Sequence, residues 1–314
     1  MEKRRLKVVE LFGGIGAIRK AMLNNKMNFE VIDYVEINKN AVKSYNALYN
    51  ENYKSKSVKG YKLPDEKIDL LFHGSPCQDF SIAGTLKGGE KNSNTRSSLL
   101  WETVRIIDEA KIKPKVIIWE NVSSVLSKRF EFTFYSYIDE LEKLGYVSRF
   151  KILNGKDFGI PQNRKRLFAV SVFHENNFDF SKLKKAKMKK LSSFLEENVP
   201  VQYLFSDEEI CRAKKINFFR PVKDYVFTIL TKAKRFETGF IRTQNNSYRT
   251  ITEKEALVLM GFSYEDYETL KKVHPTKNND AISSILFKQA GNSIIVNVLM
   301  SILLECERSC FLIT

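Results

Sequence analysis

A few side chains in this sequence stand where chemistry would need them. Cys77 lies in IDLLFHGSPCQDFS, just past the carboxyl end of an apolar run, where open α/β sheets keep their reactive groups. A Ser-Pro-Cys-Gln turn presents the thiol, with Pro76 stiffening the backbone ahead of it. Glu120 ends a second apolar run, VIIWENV, and is followed by Asn121. Arg164 and Arg166, in QNRKR, are two residues apart at the start of a strand, so both guanidinium groups point to one side. A thiolate and a carboxyl acid are the pair needed to add across the C5–C6 bond of a pyrimidine. The thiolate attacks C6 while Glu120 steadies or protonates N3, and C5 becomes nucleophilic toward a sulfonium methyl. The arginine pair could grip a phosphate or the base; the plainer reading is an ion pair with Glu120 or another carboxylate. A lone cysteine is more often structural, so the case for Cys77 rests on its neighbours.

A second constellation suits a nucleoside ligand. The first apolar run ends in Phe12-Gly13-Gly14-Ile15-Gly16 and leads directly into a helical pattern, so glycines let the backbone turn sharply and approach a ligand closely. The spacing is not the dinucleotide fingerprint, and a pyrophosphate is not required. Glu36, 20 residues beyond Gly16, ends the second run, where a carboxylate can accept from both hydroxyls of a ribose. The alternative is that Glu36 caps the helix starting near Asn38.

These residues need strand ends to hold them, and the pattern supplies strands. KVVELF, EVIDYVE, IDLLFHG and VIIWEN alternate with helical segments at Ile18–Leu23, Ala41–Leu48, Leu99–Ala110 and Phe134–Leu144, which predicts a parallel sheet with helices on both faces. VSRFKILN and RLFAVSVF follow as antiparallel neighbours joined around Gly159 and Pro161. The segment from Asp79 to Ser98, rich in Gly, Ser, Asn and Lys, reads as a loop able to close over a substrate. Beyond Phe178 the βα repeat degrades, through KLKKAKMKKL, up to about Arg249. A helix with a Thr252–Glu255 capping box then runs to Gly261, and one more follows Gly291.

Composition narrows the partners. The sequence has 52 Lys and Arg against 37 Asp and Glu, a formal charge of +15, which favours an anionic partner, although lysines also serve solubility. The Lys-rich run is read either as a solvated face or as a track for phosphates. Four scattered cysteines and three histidines indicate neither a disulfide framework nor a zinc site, and Cys306 and Cys310, one helical turn apart, are read as packed or partly exposed rather than metal-binding. No apolar run reaches the ~18 residues of a membrane span, and MEKRRLKVVELF is too short in its apolar part for a signal peptide, so a cytoplasmic protein is expected.

Taken in order, FGGIG, the Glu36 segment, GSPCQDFS, WENV, QNRKR, RTITEKEALVLMGF and KQAGNSIIVNVL closely resemble the successive motifs of the DNA cytosine-5 methyltransferase family, bacterial or phage type. The resemblance implies an α/β fold: a Rossmann-like S-adenosylmethionine-dependent methyltransferase domain, residues 1–178 plus 286–314, with a smaller domain at 179–285 that recognises its target mainly through 179–248. It implies Cys77 as nucleophile, Glu120, Arg164 and Arg166 around the base, and Gln78 in the loop that fills the duplex. Phe12, Gly14, Gly16, Glu36, Leu99 and Asn292 would line the cofactor site, with S-adenosylhomocysteine as product and no metal. The partner would be double-stranded DNA, methylated by a monomer, with a restriction endonuclease as a genetic rather than a stable partner. The polar run Arg242-Thr243-Gln244-Asn245-Asn246 suits base reading, or is an ordinary polar turn. One departure concerns the acid that the family often has after its third strand, near the adenine amine. SVKGYKLPDEK offers Ser57 or Lys59 there, with Asp69 or backbone groups as substitutes.

Two rivals remain at this level. A tRNA-methylating branch resembles the same motifs, but GSPCQDFS and a separate recognition interval favour DNA. A non-catalytic DNA-binding repressor is disfavoured by the intact Cys77, Glu120 and FGGIG.

Overall fold

The computed structural model describes residues 4–76, 99–276 and 281–311. Cys77, Gln78 and the expected closing loop from Asp79 to Ser98 lie outside the described residues.

The β-branched runs become strands and the segments between them helices, in strict alternation at first: β1 (Leu6–Leu11), α1 (Ala17–Asn24), β2 (Phe29–Val35), α2 (Lys39–Tyr49), β3 (Leu70–His73), α3 (Leu100–Asp108), β4 (Val116–Val122) and α4 (Glu131–Lys143). Then come β5 (Tyr146–Asn154), β6 (Gln162–Asn163) and β7 (Lys165–Phe173). The main sheet has the order β2-β1-β3-β4-β7-β5. Its first four strands are parallel, and β7 runs antiparallel between β4 and β5, as the spacing of the last two runs predicts.

Period-2 alternation gives each face of this sheet its own core. Val8, Leu70, Phe72, Val116, Ile118, Phe168 and Val170 pack toward α1 and the carboxyl-terminal helices. Val9, Leu11, Leu71, Ile117, Trp119, Leu167 and Ala169 pack toward α3 and α4. Burial on both faces explains why these strands read as nearly continuous apolar runs.

The rest of the chain is more irregular: α5 (Asp207–Lys215), β8 (Val226–Phe227), β9 (Ile241–Arg242), β10 (Tyr248–Arg249), α6 (Glu253–Val258), α7 (Tyr264–Val273), α8 (Ser284–Asn292) and α9 (Val296–Cys306). A small separate core of Phe205, Ala213, Phe236 and Phe240 lies between residues 205 and 240. Residues of α6, α7, α8 and α9 belong instead to the main core. The capping box of Thr252 and Glu255 is present, and Glu255 also holds Arg249 in a buried bidentate pair. Three helices go beyond the sequence reading. α5 and α7 carry capping boxes at Ser206–Glu209 and Ser263–Asp266, and α8, which contains Gly291, precedes the helix expected after it, α9. Cys306 and Cys310 are buried, in keeping with a packing role.

The segment SVKGYKLPDEK precedes β3 and follows α2, with no strand of its own. Asp69 sits at the amino end of β3, accepting from the Lys7 N–H (3.0 Å) and pairing with Arg4 (2.5 Å). It is thereby at the wrong end of the strand to reach a ligand beyond the carboxyl ends, which removes it as a substitute for the missing acid. Ser57 is better placed, because the neighbouring Lys56 N–H donates to the Glu36 carbonyl (2.8 Å). Among the described residues no helix is long and apolar enough to cross a membrane.

The end of α8 is fitted to the chain in front of it. A Cβ on Gly291 would stand 2.5–2.6 Å from the backbone of Leu230 and Thr231, atoms that cannot move aside as a side-chain tip can. Gly291→Ala is therefore expected to lower stability by about 1–3 kcal/mol through overpacking. Chemical denaturation checks this, and an unchanged midpoint would contradict the close approach.

Candidate active site

From β1 the chain crosses to β2 on one side, and β3 takes the place on the other, so the carboxyl ends of β1 and β3 lie side by side at a switch point. Open α/β sheets bind ligands in the crevice there. Phe12-Gly13-Gly14-Ile15-Gly16 leaves β1 at this point, and Gly74-Ser75-Pro76 leaves β3, with the Gly74 N–H directed at the Leu11 carbonyl (3.4 Å).

The glycine loop is tightly bent and firmly supported. Phe12, Gly14 and Gly16 all have positive φ (54°, 56° and 78°), the left-handed region that a side chain disfavours. A Cβ on Gly16 would come within 2.5–2.8 Å of the Tyr49 and Tyr45 rings, whereas one on Gly14 would meet nothing within 4 Å. The open side of the loop is thus at Gly14. Beneath it, the Tyr34 hydroxyl donates to the Gly14 carbonyl (2.6 Å) and the Tyr49 hydroxyl to the Gly16 carbonyl (2.7 Å). The Tyr34 and Tyr45 rings stack at 3.8 Å. Tyr45 donates to the buried Glu10 carboxyl (2.8 Å) and receives from Arg19, which also pairs with Glu51. Burial pushes the Glu10 carboxyl up to about 7, against the opposing pull of the Tyr45 hydrogen bond and Arg19.

Glu36 faces the same loop. Its Oε2 accepts from the Gly14 N–H (3.1 Å) and its Oε1 from the Asn38 N–H (2.7 Å). Burial raises its pKa, and these N–H groups oppose the rise. The helix cap itself is Asn38, whose side chain accepts from the Asn40 and Ala41 N–H groups. Glu36 therefore ties loop to helix, and each of its oxygens keeps acceptor capacity for a hydroxyl. Leu99 occupies the position just before α3, half-buried against the core beneath it, and Asn292 is the exposed last residue of α8. Ile294, two residues on, reaches 3.9 Å from the Cβ position of Gly74, which brings the GNS segment to the switch point. An open glycine cradle with a carboxylate beside it fits an adenosyl group.

Glu120, at the end of β4, is buried and forms an ion pair with Arg166 (3.3 Å). The register explains the pair: Glu120 lies opposite Phe168 and Val122 opposite Arg166, so the two are diagonal neighbours on one face. Burial raises the Glu120 pKa, while Arg166 and Arg164 pull it down. Arg164 and Arg166 line one small cleft with Leu153, Phe168, Ile294 and Ile295. The Arg164 fork donates to the carbonyls of Ile229 (3.0 Å), Gly291 (2.9 Å) and Ser293 (2.8 Å). It thus satisfies carbonyls left open at the end of α8 and clamps three segments together.

The residues flanking Glu120 hold the approach to Cys77. The Trp119 indole N–H donates to Ser75 Oγ (3.1 Å), and the Asn121 amide is directed at the Ser75 carbonyl (3.4 Å). Behind them His73, pushed down to about 3 by burial, bonds the Tyr137 hydroxyl (2.8 Å) and stacks on Trp119. Neither this cluster nor the tyrosines under the glycine loop stands out in the sequence. The available signal is Tyr45 and Tyr49 one helical turn apart, opposite a glycine loop. Among the described residues no group of three or more His, Cys, Asp or Glu could hold a metal ion.

Residues 6–224 match the family described as C-5 cytosine-specific DNA methylase. The type II methyltransferase M2.ScrFI of Lactococcus lactis subsp. cremoris is 34% identical over 267 residues, spanning 81% of this chain and 70% of that protein. The type II methyltransferase M.Bsp6I of Bacillus sp. (strain RFL6) is 31% identical over 323 residues, spanning 95% of this chain and 97% of that protein. Among solved structures, a methyltransferase of Entamoeba histolytica superposes with a TM-score of 0.77 at 21% identity, covering 96% of this chain and 98% of that one, a likeness of fold.

The support beneath the glycine loop has a pH signature. A buried carboxyl whose pKa rises from 4.5 to about 7 keeps its proton longer in the folded than in the unfolded chain, so stability falls as pH rises through that window. Glu10→Gln should remove this loss, gaining roughly 3 kcal/mol relative to the parent across the window. Denaturation at a series of pH values measures it, and parallel curves for the two proteins would show that Glu10 does not titrate there.

Proposed function

The chain belongs to the C-5 cytosine-specific DNA methylase family, and from that premise we propose that it methylates C5 of a cytosine rotated out of a short recognised sequence in double-stranded DNA. It is an S-adenosylmethionine-dependent DNA cytosine-5 methyltransferase; the flipping, the covalent adduct and the residue roles are our reading. The observation that carries this reading is Glu120, a buried carboxyl with raised pKa at a strand end, paired with Arg166 and flanked by the two residues that hold Ser75.

In this reading the target base leaves the stack because neither C5 nor C6 can be worked on from both sides within a duplex. Gln78 fills the gap it leaves. The Cys77 thiolate forms a bond to C6, opening the C5–C6 double bond, while protonated Glu120 gives its proton to N3 and so neutralises the electron density displaced there. Arg166 keeps Glu120 oriented, and Arg164 acts as a positioning residue through the three carbonyls it clamps. The cofactor, when bound, would supply a methyl carried on a positively charged sulfur, with S-adenosylhomocysteine as its product. Phe12, Gly14, Gly16, Leu99 and Asn292 would line its site, and Glu36 would accept from the ribose hydroxyls. C5 forms the new carbon–carbon bond; a water-borne base then takes the C5 proton, the double bond returns and Cys77 leaves as thiolate.

We assign target recognition to 179–248, within an interval of 179–285 between the two parts of a catalytic domain of 1–178 and 286–314; α6 and α7 of that interval pack into the main core. The interval's small aromatic core supports the hairpin between β9 and β10, whose turn is closed by Thr243 and Ser247 and exposes Arg242, Gln244, Asn245 and Asn246. Such side chains suit base edges. The type II names of the relatives support modification of one recognised sequence; a monomer acting in the cytoplasm is our own reading.

Cys77→Ser is expected to lose turnover while still binding duplex DNA, and normal turnover in that variant would sink the adduct mechanism. Glu120→Gln should slow single-turnover methyl transfer by about 10²–10⁴-fold. If Glu120 donates its proton, the parent's rate falls as pH rises through its raised pKa, and the variant lacks that limb.

A further inference from the structure

The proposed chemistry leaves one charged feature unused. Between the buried anchors Leu183 and Leu191, the residues at 184, 185, 187, 189 and 190 are all lysines, and all are exposed. A charge run of this kind is often a loosely solvated segment, but here the backbone is pinned along its length. Ala186 bridges Phe158, with its N–H donating to the Asp157 carbonyl (3.0 Å), and the Lys189 N–H donates to the Gly159 carbonyl (3.2 Å). Ser301 of α9 donates to the Lys184 carbonyl (3.1 Å). Among the described residues, none of the five lysines has an ion pair. Like charges are thus concentrated on a fixed ribbon without neutralisation.

The ribbon's place in the fold gives this charge a direction. β5 and β4 both run antiparallel to β7, so the end of β5 lies at the same edge of the sheet as Glu120. Asp157, Phe158 and Gly159 follow that end directly, and the ribbon crosses the rim there. The same rim carries exposed Lys165 beside Arg166, and Lys156, whose ammonium sits 4.0 Å over the Tyr225 ring. A cationic border therefore runs from the Glu120–Arg166 pair outward to Lys190.

We propose that the ribbon 184–190 is a sequence-independent contact to the phosphate backbone of duplex DNA flanking the recognised sequence. It rests on the reading above that duplex DNA is the substrate. The pinned backbone holds its lysines at the rim before DNA arrives, and binding releases the counterions condensed on the phosphates they meet. Ribbon contacts add affinity without selecting bases.

The test replaces Lys184, Lys185, Lys187, Lys189 and Lys190 with Gln in the full chain. Its affinity for a long duplex of mixed sequence is measured over a range of salt, beside a five-Arg version and the parent. For each phosphate that the ribbon no longer neutralises, the slope of log affinity against log salt should shrink by roughly 0.9. The Gln version is expected to lose affinity most at low salt, with the single-turnover rate at saturating DNA retained, and the Arg version should restore the slope. A thermal midpoint matching the parent's shows that the ribbon still folds. An unchanged slope in the Gln version, while the parent methylates duplex DNA, would overturn the ribbon contact alone. A parent that binds structured RNA in preference to duplex DNA would overturn the reading beneath it as well.

Discussion

Two neighbouring strands whose chains depart in opposite directions leave a crevice that nothing else in the sheet can fill, and this site is built outward from that constraint. Because β2 lies on one side of β1 and β3 on the other, the glycine loop and the Gly74-Ser75-Pro76 turn open next to each other. Glu36 comes from the adjoining strand on one side and Glu120 from the adjoining strand on the other. The antiparallel return of β7 then brings Arg166 to the Glu120 end. The groups assigned to cofactor and to base therefore flank one strand boundary.

The same arrangement places ionisable groups where water is scarce, and each needs support. A buried charge left without a partner costs several kcal/mol, typically about 3–5 when one member of a buried pair is removed. Glu120 has Arg166, and Arg164 has three backbone carbonyls from two segments. Glu10 instead answers burial by keeping its proton near neutrality. The aromatic groups do the positioning that loops cannot do alone. Tyr34 and Tyr49 hold the glycine loop by its carbonyls, and Trp119 holds Ser75 by its hydroxyl. Sites carried by rigid elements keep their geometry better than sites carried by loops.

How far these features are legible in the sequence depends on whether they are local. The strands announce themselves by β-branched runs, and the residues at their ends by position, so Glu36, Glu120 and the FGGIG loop can be read directly. The capping boxes at Ser206 and Ser263 are equally local, yet the polar context around them masks the helical period. The tyrosine support and the Trp119–Ser75 contact are tertiary, joining residues from different elements; the one-turn spacing of Tyr45 and Tyr49 marks a helix face but not what it touches. Asp69 shows the reverse error: its residue type suits an adenine contact, but its end of the strand does not. Whether the lysine run is solvated or pinned turns on hydrogen bonds to Asp157 and Gly159, which composition cannot show.

The central claim is that these strand ends methylate cytosine C5 in duplex DNA, and label transfer tests it most directly. The purified chain would be given labelled S-adenosylmethionine with mixed-sequence duplex DNA and, in parallel, with tRNA, and the modified duplex would be mapped by bisulfite sequencing. The account predicts label in the duplex at cytosines within one recurrent short sequence. Label confined to tRNA, or none in either nucleic acid from protein that binds the cofactor, would contradict it.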